Sequence, residues 1–412
     1  MDKRTLHTPI KIFALLIIFS FLLPAFRVGG FGMKLDLVLL FPLFIYLFVT
    51  KENLIKDSFF IKVFSVTFLV FISTIISGTV GLMYYEHSNS IYFPTEYISF
   101  LSKVLVMFSF FEIERRKVVS KELFLNSITF VFIASLSIGL LQILDISAIN
   151  NLSELYATTE NQVAKISEGV SRVYSTTGNV LTWAGWSGFI LIFSMIVYKK
   201  GVLKWCVIIL SVINLLFTSS RGALIAVIVS VLFYFIYVVY KTKKATLFLK
   251  YLFYTLISVF ILGWISYYFF EERVLFFIDR FRYLNEAIFE SGRGSQSDII
   301  LTFFNKDAAN YIFGIGKPVV DSIGLMEIET LFILFAYGIV GLILQYLFIV
   351  LVIRKAMLPR LSVYSMVIII GIVYFLIYSL GYFFIREIYS GLLFWAIIGY
   401  FLSKCLRENY EI

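Results

Sequence analysis

Three arginines stand among small or hydroxylated residues beside apolar runs: Ser171-Arg172-Val173, Ser219-Ser220-Arg221-Gly222 and Ser291-Gly292-Arg293-Gly294. A guanidinium with hydroxyl and amide donors close by suits a phosphate or pyrophosphate, because its planar fork meets two oxygens at once. Arg221 opens an apolar run straight after Thr218-Ser219-Ser220, where the free amides of a helix N-terminus address the same anion; the alternative is an interfacial side chain that snorkels to water. Arg293 precedes Ser295-x-x-Asp298, a helix-opening pattern, and its alternative is a solvated turn. Arg172 leads into Tyr174, Thr176, Thr177, Gly178 and Asn179, a set suited equally to contacting sugar or phosphate and to capping the next helix. Arg280 lies on an amphipathic stretch, where it meets headgroups or joins the cluster. Glu327 and Glu329 stand at the edge of a later apolar run. A carboxylate beside a cationic site can accept a proton from a hydroxyl, while an acid in a first helical turn is also favoured by the dipole alone. Glu329 is the better candidate because it is nearer the run.

The elements that must position these groups are membrane spans. Apolar residues make up 60% of the 412 and charged residues 15%, a balance no water-soluble chain of this length has. About twelve runs have the length of a helix crossing roughly 30 Å of hydrocarbon: 10–28, 35–50, 60–84, 97–111, 123–144, 180–198, 202–218, 222–240, 247–270, 329–353, 362–384 and 388–403. The expectation is an all-α polytopic integral membrane protein, a single domain over 1–412, whose first span is retained rather than cleaved.

The net charge of +9 reflects basic cytoplasmic segments, not nucleic-acid binding. Arg115-Arg116-Lys117, Lys199-Lys200 and Arg354-Lys355 all fall on one side, which puts both termini inside and Arg172, Arg221 and Arg293 outside. Two outer loops are long, 145–179 and 271–328. The second has its own helical pattern, with Val274, Phe277, Ile278, Phe281, Leu284 and Ile288 on one face, and ends at Gly314-Ile315-Gly316 and Pro318. Many of the 26 tyrosines and 46 phenylalanines are expected to face lipid or the interface, with Tyr156, Tyr174 or Tyr283 as candidates to stack on sugars. Two cysteines and two histidines offer no metal-ligand spacing, so no metal and no cofactor is expected.

The ordered pieces Arg172 with Asn179, Thr218 to Gly222, Ser291 to Arg293, Phe313 to Gly316 and Gly338 to Gly341 resemble the bacterial O-antigen and capsule repeat-unit polymerases and the related O-antigen ligases. The resemblance covers about residues 170–345. It implies metal-independent glycosyl transfer at the outer face of the bacterial inner membrane, from a glycan on undecaprenyl pyrophosphate. Carried over by motif, Arg172, Arg221 and Arg293 hold the pyrophosphate, with Arg280 and Asn179 as further binding residues. Glu329 or Glu327 accepts the proton, and a chain-length regulator is the implied protein partner. Ligases of this group use a histidine in the large outer loop; residues 271–328 have none, which favours the polymerase. A flippase of the same lipid-linked oligosaccharide is the competing reading. It would need charges deep in several spans, and Lys103 is the one charge expected there.

Overall fold

The computed structural model describes residues 3–24, 26–28, 31–49, 58–84, 95–146, 148–149, 154–156, 172–199, 201–242, 301–302, 304–305, 307–323, 328–357, 362–383 and 391–408, with isolated positions between 253 and 278. Arg280, Arg293, Glu327 and Tyr283 lie outside the described residues, as does the expected 274–288 helix apart from Leu275 and Ile278.

Helices dominate. They are α1 Lys3–Phe19, α2 Leu35–Val49, α3 Ser58–Tyr84, α4 Thr95–Arg115, α5 Lys121–Ile143, α6 Val180–Val197 and α7 Val202–Phe217. There follow α8 Arg221–Thr242, two short helices α9 Ala308–Phe313 and α10 Lys317–Ile323, then α11 Glu329–Met357, α12 Val363–Tyr378 and α13 Gly391–Glu408. Among the described residues five stretches are long and apolar enough, by length and composition, to cross a membrane: Ser58–Met83, Lys121–Ile143, Val180–Val197, Arg221–Val239 and, taken end to end across a break at Gly338, Glu329–Met357. Shorter apolar helices accompany them at Thr8–Leu22, Leu35–Leu47, Val202–Phe217 and Val363–Tyr378. This is the architecture of an α-helical, multi-pass membrane protein. Leu, Ile, Val and Phe point both inward and outward; Ile228, Phe233 and Ile236 on α8 are all more than half exposed, as lipid-facing residues are.

Among the described residues, one departure from an all-helical chain lies after α1. The expected span 10–28 ends early, in a 3-10 turn at Ser20–Leu22, and Phe26–Val28 pairs antiparallel with Phe31–Met33. Pro24 and the Gly29-Gly30 pair supply the break and the turn signal.

The larger correction concerns the span expected over 329–353. Gly338 has φ 65°, outside the helical region, so α11 is two arms, 329–337 and 339–357. The arms fold back on each other. Thr330 Oγ1 lies 2.8 Å from Tyr346 Oη, whereas sixteen residues of unbroken helix would separate them by about 24 Å. At the apex the two glycines have different jobs. Gly338 supplies the left-handed turn, and Gly341 leaves room for Tyr337, whose Cβ sits 2.2 Å from where a Gly341 Cβ would be. The carbonyls of Phe335 and Ala336, which in a continuous helix accept from Ile339 and Val340, accept here from Ile315 N–H at 2.9 Å and Gly316 N–H at 3.0 Å. The Phe313–Gly316 and Gly338–Gly341 motifs are thus two halves of one joint. That is how a helix can break among apolar side chains without orphaning its backbone.

The bundle has two polar ends. At one, the last turn of α4 holds the buried Glu112 and Glu114. Arg407 Nη2 of α13 lies 2.7 Å from Glu114 Oε1, and Ser403 Oγ donates to Glu114 Oε2 at 2.8 Å. Arg115 and Arg116 pair with Glu112, and Arg116 Nη2 also donates to Leu47 O at the end of α2 at 2.7 Å. The candidate site lies at the other end.

Candidate functional site

Helix α7 stops at Thr218, whose N–H donates to Asn214 O, and the next amide, Ser219, donates to Leu216 O with φ 51°. A left-handed serine between two helices makes the reversal tight enough that α8 opens two residues later. Ser220 flanks its first turn, with Ser220 O accepting from Leu224 N–H at 3.2 Å. Thr218, Ser219 and Ser220 are buried and Arg221 is half-buried.

Arg172 reaches this same turn. Its Nε donates to Thr218 O at 2.9 Å, and Val173 N–H approaches Phe217 O at 3.4 Å. The guanidinium therefore sits at the negative end of α7, where a cation is favoured, in the turn that presents Arg221. Capping α7 in this way uses one of the five N–H donors an arginine has. Two of the arginines singled out by sequence thus come from stretches that meet.

Asn179 is the N-cap of α6: its Oδ1 accepts from Leu181 N–H at 2.8 Å and Thr182 N–H at 3.3 Å. That engages its carbonyl oxygen and leaves the side-chain Nδ2 as the donor for any ligand contact.

Tyr378 connects these helices to Glu329. Its Oη donates to Leu181 O at 2.5 Å, its ring lies 2.8 Å from the position of a Gly185 Cβ, and it lies 3.8 Å from that of a Gly222 Cβ. One ring is therefore wedged against α6, where a glycine at 185 leaves it room, and reaches the first turn of α8 at ordinary van der Waals range. The next residue, Ser379, accepts Glu329 N–H at 3.2 Å through its carbonyl. Tyr382 Oη completes the row, 3.0 Å from Thr182 Oγ1. Glu329 has no solvent exposure, and a carboxyl removed from water needs a compensating hydrogen bond or charge. Arg172 is bonded to Thr218 at the end of α7, Tyr378 lies against the start of α6, and Ser379 is bonded to the Glu329 backbone, so these segments share one end of the bundle. The fold-back of α11 is what carries Glu329 here: it starts the short arm beside Tyr346 and the end of α12.

One expectation is corrected. Tyr174 is buried, with its N–H directed to Gln142 Oε1, so it is not open for stacking on a sugar. Tyr156 Oη donates to Leu22 O at 2.8 Å, tying its segment to the end of α1. Tyr374, Tyr378 and Tyr382 are not lipid-facing but buried against α6. Residues missed by the sequence reading are Gln142, Ser175, Tyr346 and Tyr378. Tyrosine spacing of four along 374–382, opposite Gly185 and Gly188, was the available signal for the last, since that spacing repeats on one helical face.

Lys103 is buried in α4, with Nζ donating to Ser99 Oγ at 3.0 Å. Neither Cys206 nor Cys405 is in a disulfide. Among the described residues no group of His, Cys, Asp and Glu has the arrangement to hold a metal ion. No protein-family model matches the chain, and no curated protein matches its sequence.

Proposed function

We propose that this protein polymerises undecaprenyl-pyrophosphate-linked oligosaccharide repeat units, of O-antigen or capsular type, by metal-independent glycosyl transfer at the outer face of the bacterial inner membrane. In this reading about twelve spans cross the bilayer with both termini in the cytoplasm, and the Arg172–Arg221 end faces outward. The guanidiniums hold the pyrophosphate and stabilise the negative charge that grows on it as the sugar–phosphate bond breaks. Glu329 accepts the proton of the attacking hydroxyl of the incoming unit. Arg293, Arg280 and Glu327 belong to the same assignment by motif.

The observation that carries the reading is the bond from Arg172 Nε to Thr218 O. It draws two cationic stretches, forty-six residues apart, to one buried serine-rich turn. A protein needing only interfacial anchors has no reason to gather them with a buried acid at the same end.

The test is genetic and biochemical. In a strain lacking its own polymerase, Arg221→Ala and Glu329→Gln should each abolish long surface polysaccharide and leave single repeat units, with protein levels unchanged. Losing one transition-state donor lowers the rate by roughly a hundred- to a thousand-fold. Ladders that survive both substitutions refute the assignment; units trapped on the cytoplasmic leaflet support a flippase instead.

A further inference from the structure

We propose that Gln142 is a positioning residue that sets the conformation of the Arg172 turn from the neighbouring helix. Gln142 lies in the last turn of α5 and is buried. Its Oε1 accepts two backbone amides from a segment more than thirty residues away: Ser175 N–H at 2.8 Å and Tyr174 N–H at 3.3 Å. Ser175 has φ 45°. A serine rarely adopts that left-handed conformation, and it persists only where the surroundings over-determine it.

Here the surroundings do so from two sides. From α5, Gln142 takes the amides of Tyr174 and Ser175, Ser135 O accepts Ser175 Oγ at 2.6 Å, and Ser135 Oγ lies 3.2 Å from Thr176 Oγ1. From α7, Phe217 and Thr218 engage Val173 and Arg172. The segment between is only a few bonds long. The direction in which Arg172 leaves the backbone is therefore fixed by Gln142 on one side and by α7 on the other. Gln142 touches neither Arg172 nor Arg221 in these contacts; it acts through the turn. Its consequence for catalysis rests on the proposed function, whereas the clamp itself does not.

The experiment has two arms on the purified full-length protein. In the first, amide hydrogen exchange of residues 172–177 is compared among wild type, Gln142→Met and Gln142→Glu. Met keeps the volume and removes the acceptor; Glu, charged or neutral, keeps a side-chain oxygen to accept both amides. Protection at Tyr174 and Ser175 should fall by about ten-fold or more in Gln142→Met, with α5 and α7 unchanged, and return in Gln142→Glu. In the second arm, inorganic pyrophosphate is titrated into the same proteins and into Arg172→Ala. Gln142→Met and Arg172→Ala should each weaken binding by about ten-fold, the double variant no more than Arg172→Ala alone, because the two act as one unit. If Gln142→Met does not fold, Gln142→Asn, which shortens the reach by one methylene, replaces it in both arms. Unchanged exchange at Tyr174 and Ser175, or Gln142→Glu behaving like Gln142→Met, overturns the clamp. Additive losses in the double variant overturn its action through Arg172. If wild type itself fails to bind pyrophosphate, the anion reading falls, and the exchange arm still decides the role of Gln142.

Discussion

Replacing Gly338 by Ala should unmake the fold-back of α11. An alanine at φ 65°, ψ −173° takes the cost of a backbone region that is essentially glycine's alone, about 1–3 kcal/mol. Its Cβ would also lie 2.3 Å from Ile312 O, 2.4 Å from Ile312 C and 2.6 Å from Gly314 N. These are backbone atoms, so no side chain can swing aside, and overpacking of this kind adds roughly 1–3 kcal/mol. The sum, about 2–6 kcal/mol, equals or exceeds the two backbone bonds from Ile315 and Gly316 that hold the joint, each worth about 0.5–1.5 kcal/mol. The apex should therefore open rather than tolerate the change. The assay is a short thiol cross-linker applied to Thr330→Cys with Tyr346→Cys, in a background with Cys206 and Cys405 replaced by Ser. Cross-linking should be efficient with Gly338 and lost with Gly338→Ala, because straightening the helix moves the pair toward about 24 Å apart. Equal cross-linking in both backgrounds, with no fall in thermal stability, would refute the reasoning about the joint.

Two further outcomes follow from packing at other places. Glu114→Ala should lower stability by about 3–5 kcal/mol, since it leaves Arg407 beside a buried vacancy and unties α4 from α13; detergent-solubilised thermal unfolding reads this directly. Gly139→Ala should cost about 1–3 kcal/mol, because its Cβ would fall 1.9 Å from Asn214 Oδ1, which already accepts Trp183 Nε1 at 3.0 Å. The same melting experiment checks it, and a neutral result would mean that Asn214 can rotate away from both partners.

Hydropathy and length were enough to mark the helices near 180–198, 202–218 and 222–240, which are set by apolar runs with polar stops at Asn179, Lys199 and Thr218–Ser220, while the span expected over 247–270 lies almost wholly outside the described residues. They could not reveal the break in α11. The apolar pattern runs straight through 329–353, and a glycine pair inside it is compatible with a straight helix, a kink or a reversal. What decides is pairing with Ile315 and Gly316, which is a tertiary event. The site was legible in the same uneven way. Arg172 and Arg221 announced themselves as charges beside serines. Nothing local says that Arg172 reaches the end of α7, nor that Gln142 serves a turn beyond a long loop. A lone glutamine in an apolar run looks like a satisfied interior polar residue, and tyrosines in a span look like lipid-facing ones. Their roles are set by partners distant in sequence.

The most direct measurement reconstitutes the purified full-length chain in liposomes with lipid-linked repeat units in the presence of EDTA. The account predicts a growing ladder of polymer, release of undecaprenyl pyrophosphate in step with each bond formed, and loss of both in Arg221→Ala. Transfer of intact units across the bilayer with no new glycosidic bond, or a ladder unaffected by Arg221→Ala, would contradict it.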